Sequence, residues 1–357
     1  MENFTPSPSL SNYITSINDL PEDYFDERIA HTMQIMSLLF YSMTCFLGLA
    51  GNGLVIWITC FKMKKTVNTV WFSNLAIADF IFNTFLPLSI VTEAMDGRWP
   101  FGKVMCKVHM AVLYLNMFAS ITFLTVISID RCISTVCPVW SNNYRTPRLA
   151  TAVAWVTWFM AFTISSPYPA FHDTYFANNK SNTYCLINYG ISMEDHDLLS
   201  IWTLRNRSMI ITRFLSMFLI PFIIIVICYT VIVLTLRRKK SLGKSSKPFK
   251  VIIAIILSFF FCWFPYHVYP FLEEVIITKP FSWNVYLIVY PLSCILAFLS
   301  SCINPILYVF LGQHFKEKVR KSFLGIFERA FSEGPTSFTG KSRIQLKDLT
   351  QTEIHIL

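Results

Sequence analysis

Seven stretches of this 357-residue chain are almost free of charge, and each is long enough to cross a lipid bilayer. They run over residues 33–61, 68–92, 106–136, 149–171, 209–236, 250–272 and 283–311. A helix needs roughly 20 apolar residues to span the hydrocarbon core. None of the seven alternates apolar and polar residues as the strands of a membrane barrel do. The chain is 54% hydrophobic and only 14% charged, with 33 Phe. That composition excludes a disordered chain and argues against a soluble enzyme, which could not bury so much apolar surface. The expected fold is an all-α membrane protein, a seven-transmembrane helix bundle over residues 33–311.

The loops orient the bundle. Loops 62–67, 131–148 and 237–250 hold 13 Lys and Arg, against 6 in loops 93–105, 172–208 and 273–282. Basic loops stay on the cytoplasmic side, so residues 1–32 form an extracellular tail and the C-terminus lies inside. The net charge of +9 is explained by this bias and gives no reason to invoke nucleic acid. The outer tail is acidic, with Glu22, Asp23, Asp26 and Glu27 around Tyr24, a candidate for sulfation. The sequons at Asn3, Asn179 and Asn206 all fall on the outer side, where glycosylation occurs. The N-terminus lacks the basic start and apolar core of a signal peptide, so the first span is expected to direct insertion. Residues 312–331 read as an amphipathic helix at the inner membrane surface, and 332–357 as a polar cytoplasmic tail.

Within the spans a few residues stand out. Cys106 and Cys185 are the two cysteines clearly on the oxidising side, and a bridge between them would tie the outer loop over the bundle. Asp79 is a lone carboxylate inside the second span, and an intramembrane acid is a functional candidate by default. Asn52, Ser120, Ser301 and Asn304 supply neutral oxygens for it, and oxygen ligands suit a small hard cation such as sodium. A protonated Asp79 held between helices is the plainer alternative. Asp130-Arg131-Cys132 ends the third span, where the two charges are expected to pair with each other. Pro221, Pro265 and Pro305 interrupt the fifth, sixth and seventh spans, with Tyr229 two turns beyond the first and Trp263 and Asn304 beside the other two. A proline removes a helical hydrogen bond, so a bundle that rearranges is expected.

Taken in order, these marks resemble the class A (rhodopsin-like) G protein-coupled receptors. Gly51-Asn52, Leu75-Ala76-Ile77-Ala78-Asp79, Trp99-Pro100-Phe101-Gly102, Asp130-Arg131-Cys132, Trp158, Pro221, Cys262-Trp263-Phe264-Pro265 and Asn304-Pro305-Ile306-Leu307-Tyr308 fall on the matching spans. The stretches 61–68, 138–141, 244–250 and 307–313 are similar to the chemoattractant branch, the chemerin-type and formyl-peptide receptors. Three departures stand out. Tyr114 occupies a position where formyl-peptide receptors carry an acid, Ser300 one where the branch has Asn, and no Cys follows Cys302 for tail palmitoylation.

The resemblance implies a receptor for a peptide or small-protein chemoattractant, with a chemerin-like ligand favoured over a formyl peptide. An orphan receptor or a weakly coupling scavenger of the same fold is the alternative. It implies ligand contacts at Arg213, read as about four residues into the fifth span, and at Tyr114, His267, Tyr269 and Tyr290, with Phe271 nearby. It implies activation through Trp263, Pro265, Pro221, Asn304 and Pro305. Coupling to a heterotrimeric G protein of the inhibitory type would use Asp130, Arg131, Tyr229 and Tyr308. Arrestin would read phosphates on tail residues such as Ser332 and Thr336. Residence is expected in the plasma membrane, with the lipid bilayer as solvent. No cofactor is expected beyond an allosteric sodium ion at Asp79. A retinal pump would need a lysine within 283–311, which has none. A transporter would show an internal repeat. An enzyme would need an acid–base–nucleophile set that these spans do not offer.

Overall fold

The computed structural model describes residues 27–176, 182–189, 198–238, 246–276 and 283–311. The first helix is Glu27–Trp57, extended by a π turn over Ile58–Lys62. The second is Val67–Ala94 and the third Gly102–Val136, followed by a short helix Pro138–Tyr144. The fourth is Pro147–Ser165, continued by a turn Pro167–Ala170. Strands β1 (His172–Phe176) and β2 (Thr183–Ile187) pair antiparallel, with Thr174 opposite Cys185. The fifth helix runs Leu198–Phe214, through a π turn Leu215–Leu219, into Ile220–Arg238. The sixth is Ser246–Ile276 and the seventh Trp283–Leu311.

Local chemistry starts several of these helices. Thr66 and Thr69 form a reciprocal capping box at the second. Thr146 accepts from Leu149 N, and Pro147 sits in the first turn, where its missing N–H costs nothing.

The third helix is the axis of the bundle. Met117, Phe118, Ile121, Phe123, Leu124 and Ile127 on it are fully buried. The seventh helix packs against the first and second and closes the ring. The polarity is inside out relative to a water-soluble protein. Phe46, Trp155, Phe159 and Phe261 are 71–73% exposed, whereas Asn52, Asp79, Asn83 and Ser301 are buried. Apolar surface on this scale needs lipid around it, and the polar groups find partners inside. Six described helices are long and apolar enough to cross a membrane, and Ile256–Leu272 of the sixth adds a shorter apolar segment.

Two expectations need correction. The fifth helix does not begin near residue 209 but reaches back to Leu198. Apolar content marks where a helix meets lipid, whereas the backbone stays helical through the polar run Arg205-Asn206-Arg207-Ser208. Second, Pro221 does not break this helix. The π turn Leu215–Leu219 lies immediately before it, and the ladder adjusts there to the missing N–H. The sixth helix likewise remains helical through Pro265 and Pro270, and the seventh through Pro291 and Pro305. The amphipathic segment 312–331, the tail 332–357, most of the acidic tail 1–32, and Asn3 and Asn179 lie outside the described residues.

Candidate functional site: a capped cavity, a polar centre and an ion cluster

At one end the β1–β2 hairpin lies against the third helix. A disulfide joins Cys106 to Cys185, with Cα atoms 5.7 Å apart. Trp99 N donates to Thr183 O (2.6 Å) and Lys103 Nζ to Asp173 Oδ2 (2.8 Å). Lys107 Nζ reaches Ala170 O at 3.2 Å. The Trp99-Pro100-Phe101-Gly102 run has a structural reason. Gly102 adopts φ +78°, where a side chain would strain, and the Trp99 indole donates to its carbonyl at 2.9 Å. His172 donates from Nδ1 to Tyr168 O at 2.7 Å, and burial in the hairpin base pushes its pKa down.

Beneath the hairpin lies an aromatic layer. Tyr114 is buried and stacks on Tyr168 at 4.1 Å, which accounts for an aromatic residue at this position. Arg213 is half-buried, with its guanidinium 5.1 Å from the Tyr266 ring centroid. No carboxylate lies within 4 Å of it among the described residues. Counted from Leu198 it lies about 22 Å along the helix at 1.5 Å per residue, because the helix reaches back beyond the apolar span. His267 is 1% exposed, and neither ring nitrogen has a hydrogen-bond partner among the described residues. It packs against Phe218 (5.6 Å) and Trp263 (6.1 Å). Tyr269 is buried 5.2 Å from the Tyr290 ring, which is itself exposed. The aromatic residues named from sequence therefore share one end of the bundle. Asn206 lies on the fifth helix, half-buried. The side chains of Glu273 and Glu274 are outside the described residues.

The polar centre is built around Asp79. Asn304 Nδ2 donates to Asp79 Oδ2 (2.8 Å) and Ser120 Oγ to Oδ1 (3.4 Å). The side-chain amide of Asn116, not anticipated at this site, lies 3.2 Å from Asp79 Oδ1 and 3.1 Å from Ala78 O, and its hydrogen bonding is satisfied when Nδ2 is the end turned towards them. Turned end for end, the same amide presents Oδ1 to those two oxygens, an arrangement that a cation between them or a proton on Asp79 would favour. Oxygens of Asp79 and Ser120 are donors that fit a small hard cation, and Asn116 Oδ1 would join them if its amide is turned that way. Asn52 stands apart. Its Nδ2 donates to Gly48 O (2.9 Å) and Ser301 O (2.8 Å), so it braces the first helix against the seventh. Ser301 exchanges hydrogen bonds with Asn83 (3.1 and 3.3 Å). Ser300 Oγ turns back to Ala297 O at 2.7 Å. Trp263 is buried beside Phe259, with its indole N–H without a partner among the described residues. Trp158 donates to Asn74 Oδ1 at 2.9 Å, tying the fourth helix to the second.

At the opposite end the expected Asp130–Arg131 pair is not the principal one. Arg145 takes both oxygens of Asp130, through Nε at 2.7 Å and NH2 at 2.8 Å. Arg131 Nε is 3.8 Å from Asp130 Oδ2 and makes no hydrogen bond among the described residues. Both guanidiniums share Asn68 Oδ1. Adjacent residues on a helix point about 100° apart, so Arg131 cannot wrap onto its own neighbour as well as a fork arriving from a loop. Tyr229 packs half-buried against the core, and the side chain of Tyr308 is outside the described residues.

Residues 51–308 match the 7 transmembrane receptor (rhodopsin family) profile. The chain belongs to this family of seven-helix receptors, multi-pass proteins of the plasma membrane. Among curated relatives it is similar to chemerin-like receptor 1 of Mus musculus, 46% identical over 318 residues that cover 87% of this chain and 84% of that protein. Its human counterpart is 46% identical over 324 residues, covering 86% of each chain. Human N-formyl peptide receptor 3 is 36% identical over 332 residues, covering 92% of this chain and 93% of its own. The chain is a receptor of the chemerin-like and formyl-peptide type.

Proposed function

We propose that this receptor binds a peptide or small-protein chemoattractant, chemerin-like in preference to formylated, and signals through an inhibitory-type heterotrimeric G protein. The observation that carries the reading is Arg213. A guanidinium within the bundle, faced by a tyrosine ring and by no carboxylate within 4 Å among the described residues, is a clamp waiting for an anion. The carboxylate at a peptide C-terminus fits that fork. Tyr114, His267, Tyr269 and Tyr290 supply aromatic walls for the peptide's side chains. Tyr114 at the position of an acid, buried against Tyr168, speaks against formyl-methionine recognition.

Ligand binding shifts a population between a closed bundle and one with the sixth helix swung out. A complete shift takes about 5 kcal/mol of differential affinity. Trp263 and Pro265 form the pivot, Pro221, Asn304 and Pro305 ease the repacking, and Arg131, Tyr229 and Tyr308 meet the G protein. A sodium ion held by Asp79, Ser120 and Asn116 would compensate the buried carboxylate in the resting bundle. The N-terminal tail lies outside the cell, carrying glycans at Asn3, Asn179 or Asn206, while an arrestin reads the phosphorylated inner tail.

The test is inhibition of cAMP accumulation in cells bearing the receptor, challenged in parallel with chemerin C-terminal peptides and formyl-methionyl peptides. A response to the chemerin set that vanishes in Arg131→Ala is expected. A response to formyl peptides alone would overturn the ligand assignment. Uptake of ligand without signalling would move the reading to a scavenger.

A further inference from the structure

Loops 62–67, 131–148 and 237–250 contain no Asp or Glu. The sixth span, 250–272, has none either. Among the described residues the carboxylate within 4 Å of Arg131 is Asp130, and what matters is which guanidinium holds it. The geometry is unequal. Arg145 grips Asp130 in a two-point fork at 2.7 and 2.8 Å. Its NH2 also donates to Asn68 Oδ1 at 2.8 Å. Arg131 is left 3.8 Å from the same carboxylate, with Nε unpartnered among the described residues. The cluster is well shielded, with side-chain exposures of 12% for Asp130, 20% for Arg131 and 23% for Arg145. Charge competition in such a site is screened far less than on an open surface.

We infer that Arg145 is a positioning residue for coupling. By holding both oxygens of Asp130 it leaves Arg131 only the longer 3.8 Å pairing there and its bond to Asn68, so that guanidinium turns more easily towards a partner. The reasoning is one of supply. Asp130 offers two oxygens, and a planar fork arriving from the loop before the fourth helix fits them better than the side chain of the next residue. Two cations on one anion and one amide leave the cluster with an excess positive charge, and Arg131 carries the weaker hold. Asn68, on the second helix, is the second anchor of both guanidiniums. Removing Arg145 hands Asp130 to Arg131 and deepens the resting state. The inference rests on the reading that this receptor couples through Arg131.

The test uses the full-length receptor in nanodiscs with an inhibitory G protein, measuring agonist-free nucleotide exchange. Arg145→Met is expected to lower exchange about fivefold, at the small end of site-to-site coupling. Arg145→Lys should recover part of it, because lysine offers charge without the fork. On an Asp130→Asn background Arg145→Met should change nothing, since the carboxylate being contested is gone. A rise in exchange with Arg145→Met would make Arg145 a lock and overturn the proposal. An equal fall on the Asp130→Asn background would do the same, by showing that Arg145 meets the G protein directly. A thermal-melting double-mutant cycle without G protein reads the contact itself. Asp130 should couple more strongly to Arg145 than to Arg131, and the reverse order would overturn the inference. If no variant supports exchange while the cycle holds, the coupling reading fails, and the positioning role with it, leaving only the contact.

Discussion

Asn304 donates to Asp79 across 2.8 Å, and so the seventh helix is tied to the second one residue before Pro305. This bond fixes a proline-bearing turn to a buried carboxylate. Asp79→Ala would strand the Asn304 amide and the Ser120 hydroxyl in a dry centre, at a cost of about 1–3 kcal/mol per unsatisfied group. Asp79→Asn keeps an oxygen for Asn304 and should melt near wild type. The two are further separated by the cation. Melting of the purified wild-type receptor should be higher in sodium chloride than in choline chloride, and Asp79→Asn should remove the difference. Equal melting of the wild type in both salts would end the sodium proposal.

Much of this centre was legible in the sequence because charge inside an apolar run has no innocent explanation. Asp79 was named from that, with Asn304 and Ser120 among the neutral groups offered to it, and the structure brings these two within hydrogen-bond reach. Asn52 spends its amide N–H groups on Gly48 and Ser301, a bracing role that spacing along a helix does not reveal. Arg145 was missed because in sequence it is one of 13 bases in the loops of one side, and only the fold brings it to Asp130. Asn68 and Asn116 carried no signal, being ordinary polar residues until a neighbour gives them work. The length of the fifth helix was hidden because the argument from lipid stops where the lipid does.

The first helix approaches its neighbours through glycine. A Cβ on Gly48 would overlap the Asn83 side chain, and one on Gly51 would sit 2.9 Å from Pro305 Cβ. A Cβ on Gly53 would meet Phe80 at 3.4 Å, an ordinary contact. Gly48→Ala and Gly51→Ala should therefore each cost about 1–3 kcal/mol by overpacking, and Gly53→Ala should be nearly silent. Melting temperature and surface abundance read this order. A Gly53→Ala receptor as damaged as Gly48→Ala would show that helix propensity, and not close approach, governs these sites.

Acid should loosen the hairpin through His172. Burial holds its folded pKa below the ordinary value, so the unfolded chain binds the proton more readily. Stability is then fully present above the unfolded value of about 6.5 and is lost as pH falls below it. His172→Asn keeps a donor for Tyr168 O and removes the titration. Hydrogen exchange of residues 172–176 and 183–187 should quicken in the wild type on going from about pH 7 to 5, and much less in the variant. The variant is the comparison that counts, because other histidines, His109 and His267 among them, are buried elsewhere in the bundle.

The clamp at Arg213 gives the most direct check on the ligand. In the proposed binding mode Arg213→Ala removes one partner of a shielded charge pair, and such truncations cost about 2–5 kcal/mol of binding. Arg213→Lys should recover little, because lysine lacks both the two-point fork and the flat face that lies 5.1 Å from Tyr266. The ligand can be altered to match. Amidating a chemerin C-terminal peptide removes the carboxylate while leaving its side chains, so wild-type affinity should fall about as far as in Arg213→Ala. If the two groups meet, the variant will no longer distinguish the free acid from the amide, and the two losses will not add. Affinities that drop independently for variant and amide would place the carboxylate elsewhere, with His267, buried and unpartnered among the described residues, as the next position to change.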